Sequence, residues 1–169
     1  MNIDQIITTI IETEGGYNDV AGDDGGPTNF GITLDTLSAW RKTECTASDV
    51  KAMTAAEARA IYEQEYIRGP GFDRIASEVL RYTLVDFGVN SSPKRAIEGL
   101  QKVLGVTVDG KLGPKTEAAA NLTDGRRLAL KVLANRTRLM GRLITDKPIK
   151  AKFAAGWADR VATQMEDIA

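Results

Sequence analysis

Residues 14–33, EGGYNDVAGDDGGPTNFGIT, are the most informative stretch of the chain. The stretch is rich in glycine and aspartate, the composition of an irregular loop, with short β possibilities around Asn29–Ile32. What precedes it is of another kind. Ile3, Ile6, Ile7, Ile10 and Ile11 recur on one face of a helix predicted over 2–13. Asn2 caps that helix with Gln5 three residues on, and Gly15 and Gly16 end it. Glu14 therefore sits at the C-terminal end of an apolar helix. There the helix dipole disfavours a carboxylate, and burial beside the Ile face would add to the effect, so both favour the protonated acid. Asp23, nine residues later in a polar glycine loop, is expected to stay ionised. Two carboxyl groups pushed towards opposite protonation states are what glycoside hydrolysis needs, one to donate a proton and one to act as a base or charge. Thr28 could hold a water with Asp23, and the glycines let the backbone approach a sugar chain closely.

Plainer readings of the same residues stand beside this one. A Glu before a glycine C-cap is usually solvated, and Asp-Asp-Gly-Gly is usually a turn. Asp19 and Asp24 compete with Asp23 for the role of second carboxylate. A calcium loop is disfavoured, because Ala21 breaks the required alternation and no Glu stands at the twelfth position from Asp19. No metal site and no cofactor are expected.

Beyond the loop the chain reads as helix after helix. Thr33 caps one through Trp40, Thr46 a short one to about Lys51, and Thr54 with Glu57 forms a capping box for one to about Arg68. Gly69, Pro70 and Gly71 break it. An apolar helix follows over 75–88. Ser92-Pro93 starts another to about Leu104, with Pro in its first turn. The tight loop TVDGKLGPKT, 107–116, leads to a short helix near Glu117–Asn121, in which Thr116 is the expected cap. Asp124 caps a long helix to about Ile144, and a last helix spans 149–166. The expected class is mainly α. No repeat or linker interrupts it, and the predicted organisation is a lobe over 1–90 with a second, 91–169, packed on it as one domain.

Composition narrows the chemistry. The 169 residues contain no His and one Cys, Cys45. That excludes His-dependent triads, His-ligated metals and an internal disulfide framework. With no His to activate it, Cys45 is not expected to be a nucleophile. At 43% hydrophobic and 27% charged residues the chain is globular rather than disordered. No apolar run reaches the roughly 18 residues of a membrane span. The N-terminus lacks the basic region and cleavage site of a signal peptide, so synthesis in the cytoplasm is expected. Net charge is −1, but residues 1–90 carry −8 and residues 91–169 carry +7. A basic half suits an anionic polymer, or simply the acidic half of its own chain. Nucleic acid would require aromatic-basic patterning that is absent, and is not expected as a partner.

Two further features stand out in the sequence. Tyr62 and Tyr66 share a helix face and could stack on sugar rings, or pack in the core. Arg136 falls in the middle of the apolar face of the 124–144 helix, where burial would demand a carboxylate such as Glu14 or Asp86; otherwise it reaches the helix edge.

The run Glu14-Gly-Gly-Tyr17, followed by Asp23-x-Gly25-Gly26-x-Thr28-x-x-Gly31-Ile32-Thr33, resembles the start of glycoside hydrolase family 108, whose members include N-acetylmuramidases of phage endolysins and prophages and so-called secretion activator proteins. Later stretches resemble the family in order: Tyr62-x-x-x-Tyr66, Asp86-Phe87-x-Val89-Asn90, Leu100-Gln101, Asp109-Gly110-x-x-Gly113-Pro114-x-Thr116 and Gly156-Trp157-x-x-Arg160. The resemblance implies a lysozyme-like helical fold and a second half similar to small peptidoglycan-binding modules. It implies hydrolysis of the β-1,4 bond between N-acetylmuramic acid and N-acetylglucosamine, with Glu14 as general acid. The site is also similar to that of phage-type lysozymes, in which Glu, Asp and Thr follow one another in that order, although Asp23 and Thr28 lie one residue closer together here. Tyr17, Asn29, Tyr62, Tyr66 and Asn90 are the candidate substrate-binding residues. The peptidoglycan glycan strand is the expected partner, and the protein is expected to be a monomer acting in the periplasm after holin-type release. The competing expectation is a non-catalytic wall-binding or export-accessory protein.

Overall fold

A computed structural model describes residues 1–19 and 26–168. Its contacts divide the chain into two compact units, Met1–Glu65 and Tyr66–Ala169. Among the described residues the only sheet is a two-stranded hairpin, and helices make up most of the rest, so the mainly α class is borne out.

The first unit opens with α1 (Ile3–Glu14). The predicted capping box is present: Asn2 Oδ1 accepts from the Gln5 N–H at 2.9 Å, and Gln5 Oε1 accepts from the Asn2 N–H at 2.8 Å. Ile6, Ile7 and Ile10 are buried, as the apolar spacing requires. Strands β1 (Thr28–Asn29) and β2 (Ile32–Thr33) pair antiparallel, Thr28 with Thr33 and Asn29 with Ile32. Phe30 and Gly31 between them both have positive φ, the geometry of a two-residue primed turn. Helices α2 (Leu34–Arg41), α3 (Ala47–Ala52) and α4 (Ala55–Ile61) follow, capped by Thr33, Thr46 and Thr54 as expected. Arg59 of α4 donates to Thr8 Oγ1 at 2.9 Å and pairs with Asp4, fastening α4 to α1. One expectation fails. Thr54 caps the Glu57 N–H, but Glu57 does not complete the box; its carboxylate accepts two bonds of 2.8 Å from Arg41 instead.

Helix continues past α4 as a π-helical stretch, Tyr62–Arg68. In the second unit a 3₁₀ turn (Phe72–Arg74) precedes α5 (Glu78–Asn90), which starts three residues later than predicted because Ser77 is its cap. Next come α6 (Pro93–Leu104), α7 (Pro114–Leu122), α8 (Gly125–Asp146), a 3₁₀ segment (Pro148–Phe153) and α9 (Ala154–Ile168). α5 packs on α6 and α8, and α8 on α9. The last helix starts later than predicted, its expected first turns being 3₁₀ after Pro148. Thr116 is not a cap either. Pro114 takes the first position of α7, where its missing N–H costs nothing, and Thr116 lies buried within the helix.

Candidate active site

Glu14 is the last residue of α1, and Gly15 (φ 77°) turns the chain away from it. The side chain is half-buried. Its stem is held by the hairpin tip. A Cβ built on Gly31 would lie 2.8 Å from Glu14 Cγ, 2.9 Å from Glu14 Cβ and 2.7 Å from the Tyr62 hydroxyl. With φ of +74°, Gly31 also has a backbone conformation that other residues adopt only with strain. Glycine is thus required here twice, for the turn and for the close approach.

Tyr62 locks that approach. Its ring is 1% exposed and its hydroxyl donates to the Phe30 carbonyl at 2.7 Å. Phe30 itself has φ of +52°, unusual for a residue with a side chain. Tyr62 opens the π-helical stretch, a helix form often found near functional sites. The result is a half-buried glutamate at a helix terminus whose aliphatic stem is packed against the hairpin turn.

The remaining predicted residues fall into different places. Tyr17 is 37% exposed, its hydroxyl donates to Asp19 Oδ2 at 3.1 Å, and Lys51 Nζ lies 5.7 Å from its ring centroid. Loss of hydration, then the Asp19 carboxylate, raises the Tyr17 phenol above its ordinary pKa. Thr28 is half-buried in β1, and its N–H and C=O both bond Asn18 at 2.8 Å, placing the loop's two ends side by side. Asp23 and Asp24 lie outside the described residues; Asp19 is described and exposed.

Two expectations are corrected. Asn29 is 5% exposed and spends its amide on the Val50 carbonyl at 3.0 Å, so it fastens the hairpin to α3 instead of facing a ligand. Tyr62 cannot present a ring face to a sugar, because the ring is in the core. Tyr66, half-buried, and Asn90, half-buried at the end of α5, belong to the second unit. Among the sequence expectations Gly31 has no role apart from the loop's other glycines, although it stands in the same motif as Glu14. A glycine at a primed-turn position beside a candidate acid is the signal that could have found it.

The second unit carries two polar constructions of its own. Asp86, 4% exposed, accepts from Arg136 Nη1 at 2.6 Å and from Arg160 Nε at 2.7 Å. Arg136 is fully buried, so it does not reach the helix edge, and its carboxylate is Asp86. Burial lowers the Arg136 pKa while Asp86 opposes the shift; the guanidinium stays charged. The second construction is the 107–116 loop, organised by buried Gln101. Its Nε2 donates to Asp109 Oδ1 (2.7 Å) and the Lys111 carbonyl (3.0 Å), and its Oε1 accepts from the Asp109 and Gly110 N–H groups (3.0 and 2.9 Å). The loop borders an open groove of about 750 Å³ lined by Val106, Thr107, Asp109, Lys111, Pro114 and Lys115. Among the described residues no group of His, Cys, Asp and Glu side chains is arranged to hold a metal.

Comparison with known proteins bears on both units. The family model described as Glycosyl hydrolase 108 matches residues 7–92, and the one described as Predicted Peptidoglycan domain matches residues 95–162. No curated protein matches. Among solved structures, the chain is similar to Brucella abortus SagA, with 34% identity and a TM-score of 0.89 over 98% of this chain and 92% of that one. The two family models together mark a peptidoglycan-related function.

Proposed function

The chain belongs to the glycosyl hydrolase 108 family, and from that premise we propose that it is an N-acetylmuramidase cleaving the β-1,4 bond between N-acetylmuramic acid and N-acetylglucosamine in peptidoglycan. The observation that carries the reading is the placement of Glu14: half-buried, at a helix terminus, its stem packed on Gly31, which the Tyr62 hydroxyl also abuts. In the reaction Glu14 gives its proton to the glycosidic oxygen as the bond to the muramic acid carbon breaks. Asp23, which enters on sequence grounds, stabilises the oxocarbenium-like transition state or activates the attacking water, with Thr28 as the candidate hydroxyl to help hold that water. Tyr17, exposed beside Asp19 and Lys51, is an aromatic of the first unit available to a sugar ring. The second unit's loop and groove at 105–116 supply wall binding, and the enzyme acts on the wall from the periplasm.

The test is the identity of the new chain ends. Purified sacculi are digested and the products reduced with borohydride. The reading expects the reduced residue to be N-acetylmuramic acid. Reduced N-acetylglucosamine would place the cut at the other bond. Protein that sediments with sacculi and releases no ends would be a binding module, and the enzymatic reading would fall.

A further inference from the structure

Residues 147–153, KPIKAKF, join α8 to α9 and carry a composition the wall-directed reading does not use. Ile149 is 77% exposed and Phe153 43% exposed, in a segment where Lys147 and Lys152 are exposed as well. Phe153 stacks on Trp157 with centroids 6.0 Å apart, and Lys152 Nζ lies 4.9 Å from the Phe153 ring centroid. Trp157 in turn lines an apolar groove of about 420 Å³ between α8 and α9, with Met140, Ile144, Val161 and Met165. Met165 is itself 38% exposed. Phe153, Trp157 and the groove are thus continuous, with Lys152 at the Phe153 ring, and exposed Ile149 stands four residues before Phe153 in the same lysine-rich segment. Residues 142–153 contain Arg142, Lys147, Lys150 and Lys152 against the single acid Asp146.

Leaving Ile149 and Phe153 in water is unfavourable, and interleaving them with lysines makes burial against another protein core costly for the charges. One kind of surface satisfies both sets. An anionic bilayer offers phosphate to the ammonium groups at the depth where a short apolar or aromatic side chain leaves water, and long lysine stems bridge the two. We propose that residues 147–153 with Trp157 form a docking surface for an anionic phospholipid membrane. The lysines meet headgroup phosphates, and Ile149 and Phe153 enter the acyl boundary. This surface belongs to a different unit from Glu14 and does not depend on the muramidase reading.

The experiment is co-sedimentation of the full chain with vesicles of phosphatidylcholine alone or mixed with phosphatidylglycerol, at low and high salt. Binding is expected to the mixed vesicles and not to the neutral ones, weakening with salt. Changing Lys147, Lys150 and Lys152 together to Gln is expected to weaken it about a hundredfold, from roughly fivefold per lysine. Ile149→Ser with Phe153→Ser is expected to weaken it about tenfold or more. The lysine head groups are not part of the core, so the triple Gln variant keeps the parent melting temperature; a control triple at exposed Lys94, Lys102 and Lys131 keeps most of the binding. Equal binding to both vesicle types, binding to neither, or equal loss in the control triple overturns the proposal. So does a three-lysine dependence seen only with sacculi or DNA, or self-association through the groove without vesicle binding.

Discussion

Among single residues, Gly31 matters to the proposed chemistry as much as Glu14 does. Gly31→Ala would put a methyl where the Glu14 stem and the Tyr62 hydroxyl now lie, at a φ that alanine adopts at a cost of about 1 kcal/mol or more. The expected outcome is a modest fall in melting temperature and a larger fall in reducing-end release, because the displaced group is the acid itself. Tyr62→Phe keeps the buried ring and removes the hydroxyl with its bond to the Phe30 carbonyl; about 1 kcal/mol of stability or more should go with it. Comparing the two by thermal melting and activity separates the turn's geometry from the hydroxyl. Asp86 is the opposite kind of residue, far more important to folding than to chemistry. Asp86→Asn leaves Arg136 buried without its counter-charge, and breaking such a pair costs about 3–5 kcal/mol. A large drop in denaturant midpoint is expected; a drop no bigger than that of Tyr62→Phe would contradict the buried-pair interpretation.

Among the helices and loops, the sequence is most readable where the signal is local. Asn2, Thr33, Thr46 and Asp124 cap the helices expected of them, because a short polar side chain and an N–H three residues on need nothing from the rest of the fold. The isoleucines from Ile3 to Ile11 display their buried face in the same way. What cannot be read depends on partners far along the chain. Glu57 has the spacing of half a capping box, but Arg41, sixteen residues away, claims its carboxylate. Tyr62 has the spacing of a sugar platform, but its ring is buried and its hydroxyl bonds the Phe30 carbonyl of the hairpin. Arg136 announces burial, but choosing Asp86 over Glu14 requires knowing that α5 and α8 pack together. Gln101 belongs here too. In the sequence it is only part of a motif, yet it bonds Asp109, Gly110 and Lys111 of the 107–116 loop. Gln101→Leu is expected to leave α6 formed while amide exchange at 109–111 speeds up by about tenfold or more, since two N–H groups lose their acceptor. Unchanged exchange there would mean the loop holds its own shape.

Over the full chain, charge and unit boundary coincide: residues 1–65 carry −8 and residues 66–169 carry +7. A wall polymer or a lipid headgroup thus meets one unit very differently from the other. The pH dependence of stability has a definite sign. Glu57 is held below its ordinary pKa by the Arg41 hydrogen bonds, Asp49 by the Thr46 hydroxyl and N–H, and Asp109 chiefly by the Gln101 amide. Such groups bind fewer protons folded than unfolded, so their contribution is present above the ordinary carboxylate range near pH 4 and is lost as pH falls through the lowered values. The melting temperature should hold steady from neutral pH to about pH 4 and fall below it; a decline already complete by pH 5 would implicate other groups. Above all, one oriented carboxyl is proposed to drive glycan cleavage. The decisive experiment is turbidity loss of outer-membrane-permeabilised Gram-negative cells with wild type and Glu14→Gln, released reducing ends being assayed alongside. The amide keeps the size and packing against Gly31 but has no proton to give. A loss of about a hundredfold or more with an unchanged melting temperature is the expected result; equal lysis by the two proteins would refute the role given to Glu14.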